Sequence, residues 1–454
     1  MKPFNKMPRK KVVIITYYWP PSGGIGVHRC LKFAKYLRDF GWEPVVFTAK
    51  NAHYPVFDES NFKHVPDGLE VHRIPIIEPF SAFKKVSGRK PDESPNPVYV
   101  RSKKSSWIDE LAIWIRGNLF IPDARALWIR PAVKKITEYI KQQGDIDAVF
   151  SDGPPHTNTR IAYHVAKRTG LPWLADFQDP WTQVDYYKLL KISSFADNIH
   201  KKMEQDVFRL ADKITIASPS WSKDLEKIGA KDVSVLYYGY DEDDFSTNME
   251  PSELQSELNP LRKRFVINHA GLLGMDRFPD KFLEVLAELG EKEQSFRKDL
   301  LIYFPGEVDY SIKDYIKNLG LGNNALYPGH ISKELAVTSM RLANILLLPL
   351  NKAENVKGRL PGKLYEYLRS YTSILALGPE NSDVNEILKK TKTGKCFDYE
   401  NKDEIRKYIS GVYDSYKKGV KAEDFQEEEI RKFDVRNQTG ILAGFLNEIS
   451  NGEK

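Results

Sequence analysis

Twice along the chain an unbroken apolar run ends in a loop and is followed by apolar residues at helical spacing. In the first half, residues 11–17 (Lys-Val-Val-Ile-Ile-Thr-Tyr) lead through Ser22-Gly23-Gly24-Ile25-Gly26 to Val27, Cys30, Leu31, Ala34 and Leu37. In the second half, residues 345–350 lead through a polar loop, 351–357, into Gly358-Arg359-Leu360-Pro361-Gly362-Lys363-Leu364-Tyr365-Glu366-Tyr367-Leu368. Runs without polar alternation read as strands covered on both faces, the habit of parallel sheets. Leu364, Leu368 and Tyr371 then mark the buried face of a helix that Pro361 and Gly362 open. Two halves built this way predict an α/β protein with two Rossmann-like doubly wound domains. The 454 residues are also too many for one ordinary core.

Composition narrows the class. A charged fraction of 29% and a hydrophobic fraction of 41% suit a soluble globular protein. The longest apolar runs, such as 12–15 and 345–350, fall far short of the roughly 20 residues of a membrane span. Residues 1–11 are basic but lead into a strand, not into a signal-peptide core. Cys30 and Cys396 lie in different halves and suggest neither a disulfide framework nor a metal cluster, which fits a reducing cytoplasm. The net charge of +6 permits attraction to anionic lipids or substrates without demanding nucleic acid.

The second-half helix carries the clearest chemistry. Free N–H groups and the helix dipole favour an anion at its start, and Lys363 adds a full cation. Glu366 stands one turn further in, where a carboxylate accepts hydrogen bonds from hydroxyls. Cation for phosphate beside carboxylate for ribose suits a nucleotide diphosphate; the plain alternative is a surface helix with solvated charges. A dinucleotide fingerprint is poorly met in the first half: the loop lacks the third glycine of G-x-G-x-x-G, and Glu43 precedes the next strand instead of following it. Two D-x-D strings occur. Asp145-Ile-Asp147 sits at the wrong end of its strand and Asp241-Glu-Asp243 at a domain exit, which supports metal-free chemistry.

Gly362-Lys363-Leu364-Tyr365-Glu366-Tyr367-Leu368, followed by Ser373-Ile374-Leu375-Ala376-Leu377, resembles the nucleotide-sugar segment of family 4 glycosyltransferases of GT-B fold. The resemblance implies two domains facing across a cleft. It also implies that Glu366 is the second Glu of the family's E-x7-E motif and binds the donor ribose. Gly358 stands where the first Glu would be. Residues 11–37 are similar to the family's N-terminal segment, where Gly23 and Gly24 would let the backbone approach donor phosphates and acceptor. In Asp152-Gly153-Pro154-Pro155-His156, the family places a His that contacts donor sugar or acceptor. Residues 172–181 resemble a D-x-x-D-P-W segment, in which Asp176 or Asp179 would orient an acceptor hydroxyl and Trp181 would stack on a sugar; either Asp equally suits a helix cap. In the loop that starts at Gly271, Arg277 matches the family's pyrophosphate-binding basic residue, with Lys281 a second candidate. The segment 326–330, ending in His330, looks like the base-contacting one.

The resulting expectation is a retaining, metal-independent glycosyltransferase. It would move a sugar from a nucleotide-diphosphate donor, a co-substrate with no further cofactor, to a hydroxyl of a glycan or lipid-linked acceptor. His156, Asp179, Arg277 and Lys363 are the expected catalytic residues. Gly23, Gly24, Gly271, Arg277, Lys281, His330, Gly362, Lys363, Leu364 and Glu366 form the donor set, and Asp152, Asp176 and Trp181 the acceptor side. Alternatives of the same fold are a nucleotide-sugar 2-epimerase and a catalytically silent sugar-binding protein. The domains are expected at 1–247 and 262–430, with 431–454 crossing back to the first. Polysaccharide or cell-envelope biosynthesis in the cytoplasm, at the inner face of the membrane, is the expected setting. Residues 84–104 read as an exposed basic loop. It runs into Trp107, Ile108, Leu111, Trp114, Ile115, Leu119 and Phe120, with Arg116, Arg125 and Arg130 among and after them. A membrane-surface face is open for this stretch, and packing on the domain is preferred.

Overall fold

The structure, a computed structural model, describes residues 9–78, 107–246, 256–420 and 424–452. The expected basic loop at 84–104 lies outside them. The chain divides into two compact units, Met1–Tyr237 with Arg436–Lys454, and Tyr238–Val435.

The first unit is built on a seven-stranded sheet. Its strands are β1 (Lys10–Ile15), β2 (Trp42–Lys50), β3 (Glu70–Pro75), β4 (Ala148–Gly153), β5 (Trp173–Phe177), β6 (Lys213–Ile216) and β7 (Val233–Val235). Their order is β3-β2-β1-β4-β5-β6-β7, and every pairing is parallel. Val12, Val13, Ile14 and Ile15 are fully buried, as expected of a strand with helices on both faces. The last described helix is Val435–Ser450, and the ammonium of Lys10, the first residue of β1, donates to Ser450 and Asn451 (2.8 and 2.7 Å).

The second unit repeats the plan with six strands: β8 (Phe265–Asn268), β9 (Leu300–Pro305), β10 (Ala325–Gly329), β11 (Ile345–Pro349), β12 (Ser373–Leu377) and β13 (Gly394–Phe397). The order is β10-β9-β8-β11-β12-β13, again all parallel. β10 and β13 are the edges and the two strands the sequence does not announce. β10 is partly exposed and carries Pro328, and β13 is four residues long, so neither shows a long apolar run.

In each sheet the chain first moves outward and then returns beside its starting strand. That leaves a topological switch point between β1 and β4, and another between β8 and β11. Ligands of open α/β sheets settle off the carboxyl ends of the strands at such points. The D-x-D strings lie elsewhere. Asp147 accepts from the Lys11 amide (2.7 Å) and Asp145 from the Lys11 ammonium (2.6 Å), at the amino end of the sheet. Asp241 caps the short turn Glu242–Phe245 by accepting from the Asp243 amide (3.1 Å).

Among the described residues no helix is long and apolar enough to cross a membrane. Leu111 and Trp114 on the helix Trp107–Asn118, and Leu119 after it, are exposed, whereas Ile115 and Phe120 are partly buried. Packing on the domain therefore accounts for only part of that apolar stretch.

Candidate functional site

In the second unit the site is set by the loops after β8 and β9 and by one helix. The helix Gly362–Arg369 starts at Gly362, and Pro361 precedes it without a side-chain cap. The Leu364 amide bonds the Pro361 carbonyl (2.9 Å), and with no side-chain cap the amides of Gly362 and Lys363 are the ones that suit an anion. Leu364, Tyr365, Tyr367 and Leu368 are fully buried and fix the helix against the sheet. Leu364, expected in the donor set, spends its side chain on the core. Tyr367 reaches the loop after β8, where its hydroxyl accepts from the Ala270 amide (3.0 Å).

Lys363, one turn earlier on the same face, runs to that loop as well. Its Nζ lies 3.3 Å from Nε2 of His269, the residue directly after β8. Gly271 is needed for this approach. A Cβ there would stand 3.0 Å from Lys363 Nζ, and its φ of +104° disfavours a side chain in any case. Behind it, Gly306 after β9 packs so closely that a Cβ would lie 2.7 Å from the Gly271 backbone. Burial pulls the Lys363 ammonium down to about pH 7; the positive field of Arg277 adds to this and Glu366 opposes it.

Glu366 faces Lys333, at the start of the helix Lys333–Leu342, in a close ion pair, and Lys333 is also 3.9 Å from Asp244. Arg277 pairs with its neighbour Asp276 (Nη2 to Oδ2, 2.8 Å). Lys281 turns to Glu284 (2.8 Å) and Asp280 (3.9 Å) on its own helix, so its charge is already matched there. His330 is exposed just beyond β10. Lys363, Gly271 and the helix start are thus brought together, and Glu366 stands a turn away with a cationic partner. His269, Lys333 and Tyr367 gain their places only through contacts distant in sequence. The one local sign of His269 is its position at the carboxyl end of an apolar run.

In the first unit the expected acceptor-side residues are mostly interior. Asp176 is buried and holds Arg29 through two short bonds, 2.5 and 2.8 Å, while accepting from Thr215 (2.6 Å). Arg29 also donates to the carbonyls of Leu236 and Tyr237 (2.8 and 3.1 Å). Asp176, 1% exposed, is therefore a buried cross-link of the fold. Trp181 is 2% exposed, stacked flat on His156 at 4.4 Å, and donates to His200 (3.1 Å), so a sugar has no face to stack on. His156 begins the helix His156–Thr169 and is itself buried. Burial, then the neighbouring His200, lowers its pKa to about 3, so it is a neutral imidazole at working pH. Asp123 caps that helix, accepting from the Thr157 amide and hydroxyl (2.8 Å each). Asp179 is partly buried in the turn after β5. Gly23 donates its amide to Val56 (2.8 Å), and Gly24, with φ +78°, precedes the helix Ile25–Tyr36.

Asp152, at the end of β4, is fully buried among Thr16 (3.3 Å), Gln178 (2.8 Å) and Asn158 (2.9 Å). Burial, reinforced by Asp176, raises its pKa to about 7 against the lowering pull of its hydrogen bonds. The folded protein therefore holds this proton more tightly than the unfolded chain. The stabilisation is complete below the unfolded value near 4 and is lost as pH rises through about 7. Asp152→Asn removes that dependence. Denaturant unfolding of both proteins at several pH values should show wild type losing stability relative to the variant over this window. A constant difference would refute the assignment.

No family model matches the chain, and no curated protein matches it in sequence. Solved structures match over nearly its whole length. A glycosyltransferase from Rickettsia africae has a TM-score of 0.63 at 14% identity, covering 99% of this chain and 100% of that one. HepE of Anabaena in complex with UDP gives 0.61 at 13%, covering 97% and 100%. The fold is GT-B. Sucrose-phosphate synthase from Thermosynechococcus elongatus gives 0.63 at 13%, covering 98% and 100%. Identities this low carry the GT-B fold alone, and the chemistry must come from the residues.

Proposed function

We propose that the second unit binds the diphosphate of a nucleotide-sugar donor, and that the protein transfers the sugar to a hydroxyl of a glycan or lipid-linked acceptor. The observation that carries this is Lys363 Nζ held above Gly271, where no side chain fits, at the start of a helix without a side-chain cap. Amide donors, helix dipole and ammonium converge there on a position suited to a phosphate. Glu366 one turn on has the geometry to take ribose hydroxyls, exchanging its Lys333 partner for them. The UDP in the structure of HepE, which shares the GT-B fold, supports a nucleoside diphosphate as ligand.

In the transfer the bond from the anomeric carbon to the diphosphate oxygen breaks, a bond to the acceptor oxygen forms, and the acceptor's hydroxyl proton passes to the departing diphosphate. Negative charge grows on the leaving diphosphate, and preorganised cations act most strongly on charge that develops in the transition state. Lys363 is that cation, with Arg277 the nearby field that helps tune it. Retention of configuration follows from the family resemblance. Because side-chain cations fill this role, turnover should persist in excess chelator; loss of activity restored by Mn²⁺ or Mg²⁺ would reject the metal-free reading.

A mass-spectrometric screen of nucleotide-sugar donors against glycan and glycolipid acceptors tests the reaction. The expected product is an acceptor heavier by one sugar together with free nucleoside diphosphate. Donor conversion without any acceptor would indicate an epimerase instead, and binding without turnover a silent relative.

A further inference from the structure

We propose that His269 is the positioning residue for Lys363: its ring accepts the lysine's hydrogen bond through Nε2 and holds the side chain, in its charged form, at the diphosphate position. This rests on the donor-site reading above and adds to it a residue that sets the state of the cation. The ring is 1% exposed and fixed at both nitrogens. Nδ1 lies 2.9 Å from the Leu347 carbonyl of β11, which can only accept, so Nδ1 carries the proton. Nε2 then offers a lone pair. Of its neighbours, the Leu272 carbonyl (3.3 Å) is another acceptor, and Lys363 Nζ (3.3 Å) is the donor that lone pair can use.

The alternative tautomer would set an unprotonated Nδ1 against the closer carbonyl. An imidazolium would set a second cation against Lys363. Burial, with Lys363 and Arg277 adding to it, accordingly lowers the ring's pKa to about 3. The switch point thus supplies the geometry: β11 orients the ring, β8 carries it, and the helix after β11 brings the lysine.

The groups acting on Lys363 are few and come from each packed element. Arg277 from the β8 loop disfavours its charge, and Glu366 from its own helix favours it. Arg277 is in turn held by Asp276, and Glu366 by Lys333. The Tyr367 hydroxyl is committed to Ala270. A neutral acceptor beside a partly buried ammonium stabilises the charged form, so removing it shifts Lys363 towards the neutral amine at physiological pH. A diphosphate binds the charged form. The loss of affinity should therefore depend on pH.

UDP titrations into the full chain at about pH 6 and about pH 8 read this directly, and variant-to-wild-type ratios at each pH cancel the ionisation of UDP itself. His269→Phe keeps the ring shape without an acceptor. His269→Asn can keep a donor towards the Leu347 carbonyl but has no acceptor at the Nε2 position, which its shorter side chain does not reach. Either should bind UDP about tenfold more weakly than wild type at the higher pH, the scale of one hydrogen bond to a charged group, and approach wild type at the lower. His269→Gln returns an acceptor at the Nε2 position and should restore the wild-type profile. Equal losses at both pH values, or no loss, would overturn the proposal and reduce His269 to packing. Lys363→Ala serves as the separate control: if it leaves UDP affinity unchanged, the donor-site reading itself fails, whatever the His269 variants do.

Discussion

Lys363→Ala should raise the dissociation constant for UDP about ten- to hundredfold, with little change in folding stability. A hydrogen bond to a charged group contributes about 1.5–3 kcal/mol, which corresponds to that range. The lysine is half-buried and its contact is to the edge of a histidine ring, so its removal leaves no charge stranded in the interior. The loss should shrink at high salt, because it acts through charge. It should also shrink as pH rises through about 7, where wild-type Lys363 itself begins to lose its proton. Calorimetric titration across salt and pH checks all three trends. An unchanged affinity would remove the diphosphate from this helix.

Asp176→Ala should destabilise the first unit by about 3–5 kcal/mol, the usual cost of stranding the partner of a buried ion pair. Both side chains are fully inaccessible, and Arg29 would keep two carbonyl partners but lose its counter-charge. Thr215 would lose its acceptor as well. Denaturant unfolding gives the number. A variant as stable as wild type but poor in transfer would reverse the assignment and return Asp176 to the acceptor side.

The strands that carry this fold are legible because they are buried on both faces and their apolar runs need no partner to be recognised. The run 345–350 contains β11, and the run 11–17 covers β1 except for its first residue, Lys10. The helix start at Gly362 is legible for a similar local reason, Pro361 and the spacing of Leu364 and Leu368. What local sequence does not show is which polar residue meets which. Asp176 and Arg29 are 147 positions apart, and nothing near Asp176 separates a carboxylate that binds substrate from one that binds an arginine. Trp181 beside Pro180 reads as a stacking platform until His156 is seen to occupy its face. His269 is hidden for the opposite reason. A single histidine at the end of a strand looks like filler, and only the return of β11 beside β8 brings Leu347 and Lys363 to its two nitrogens.

The most direct test is the crystal structure of the chain with UDP bound. Expected are diphosphate oxygens within hydrogen-bond distance of Lys363 Nζ and the first-turn amides at Gly362, with ribose hydroxyls on Glu366 and the Lys333 pair opened. UDP ordered elsewhere on the second unit, with Lys363 still resting against His269 alone, would contradict it.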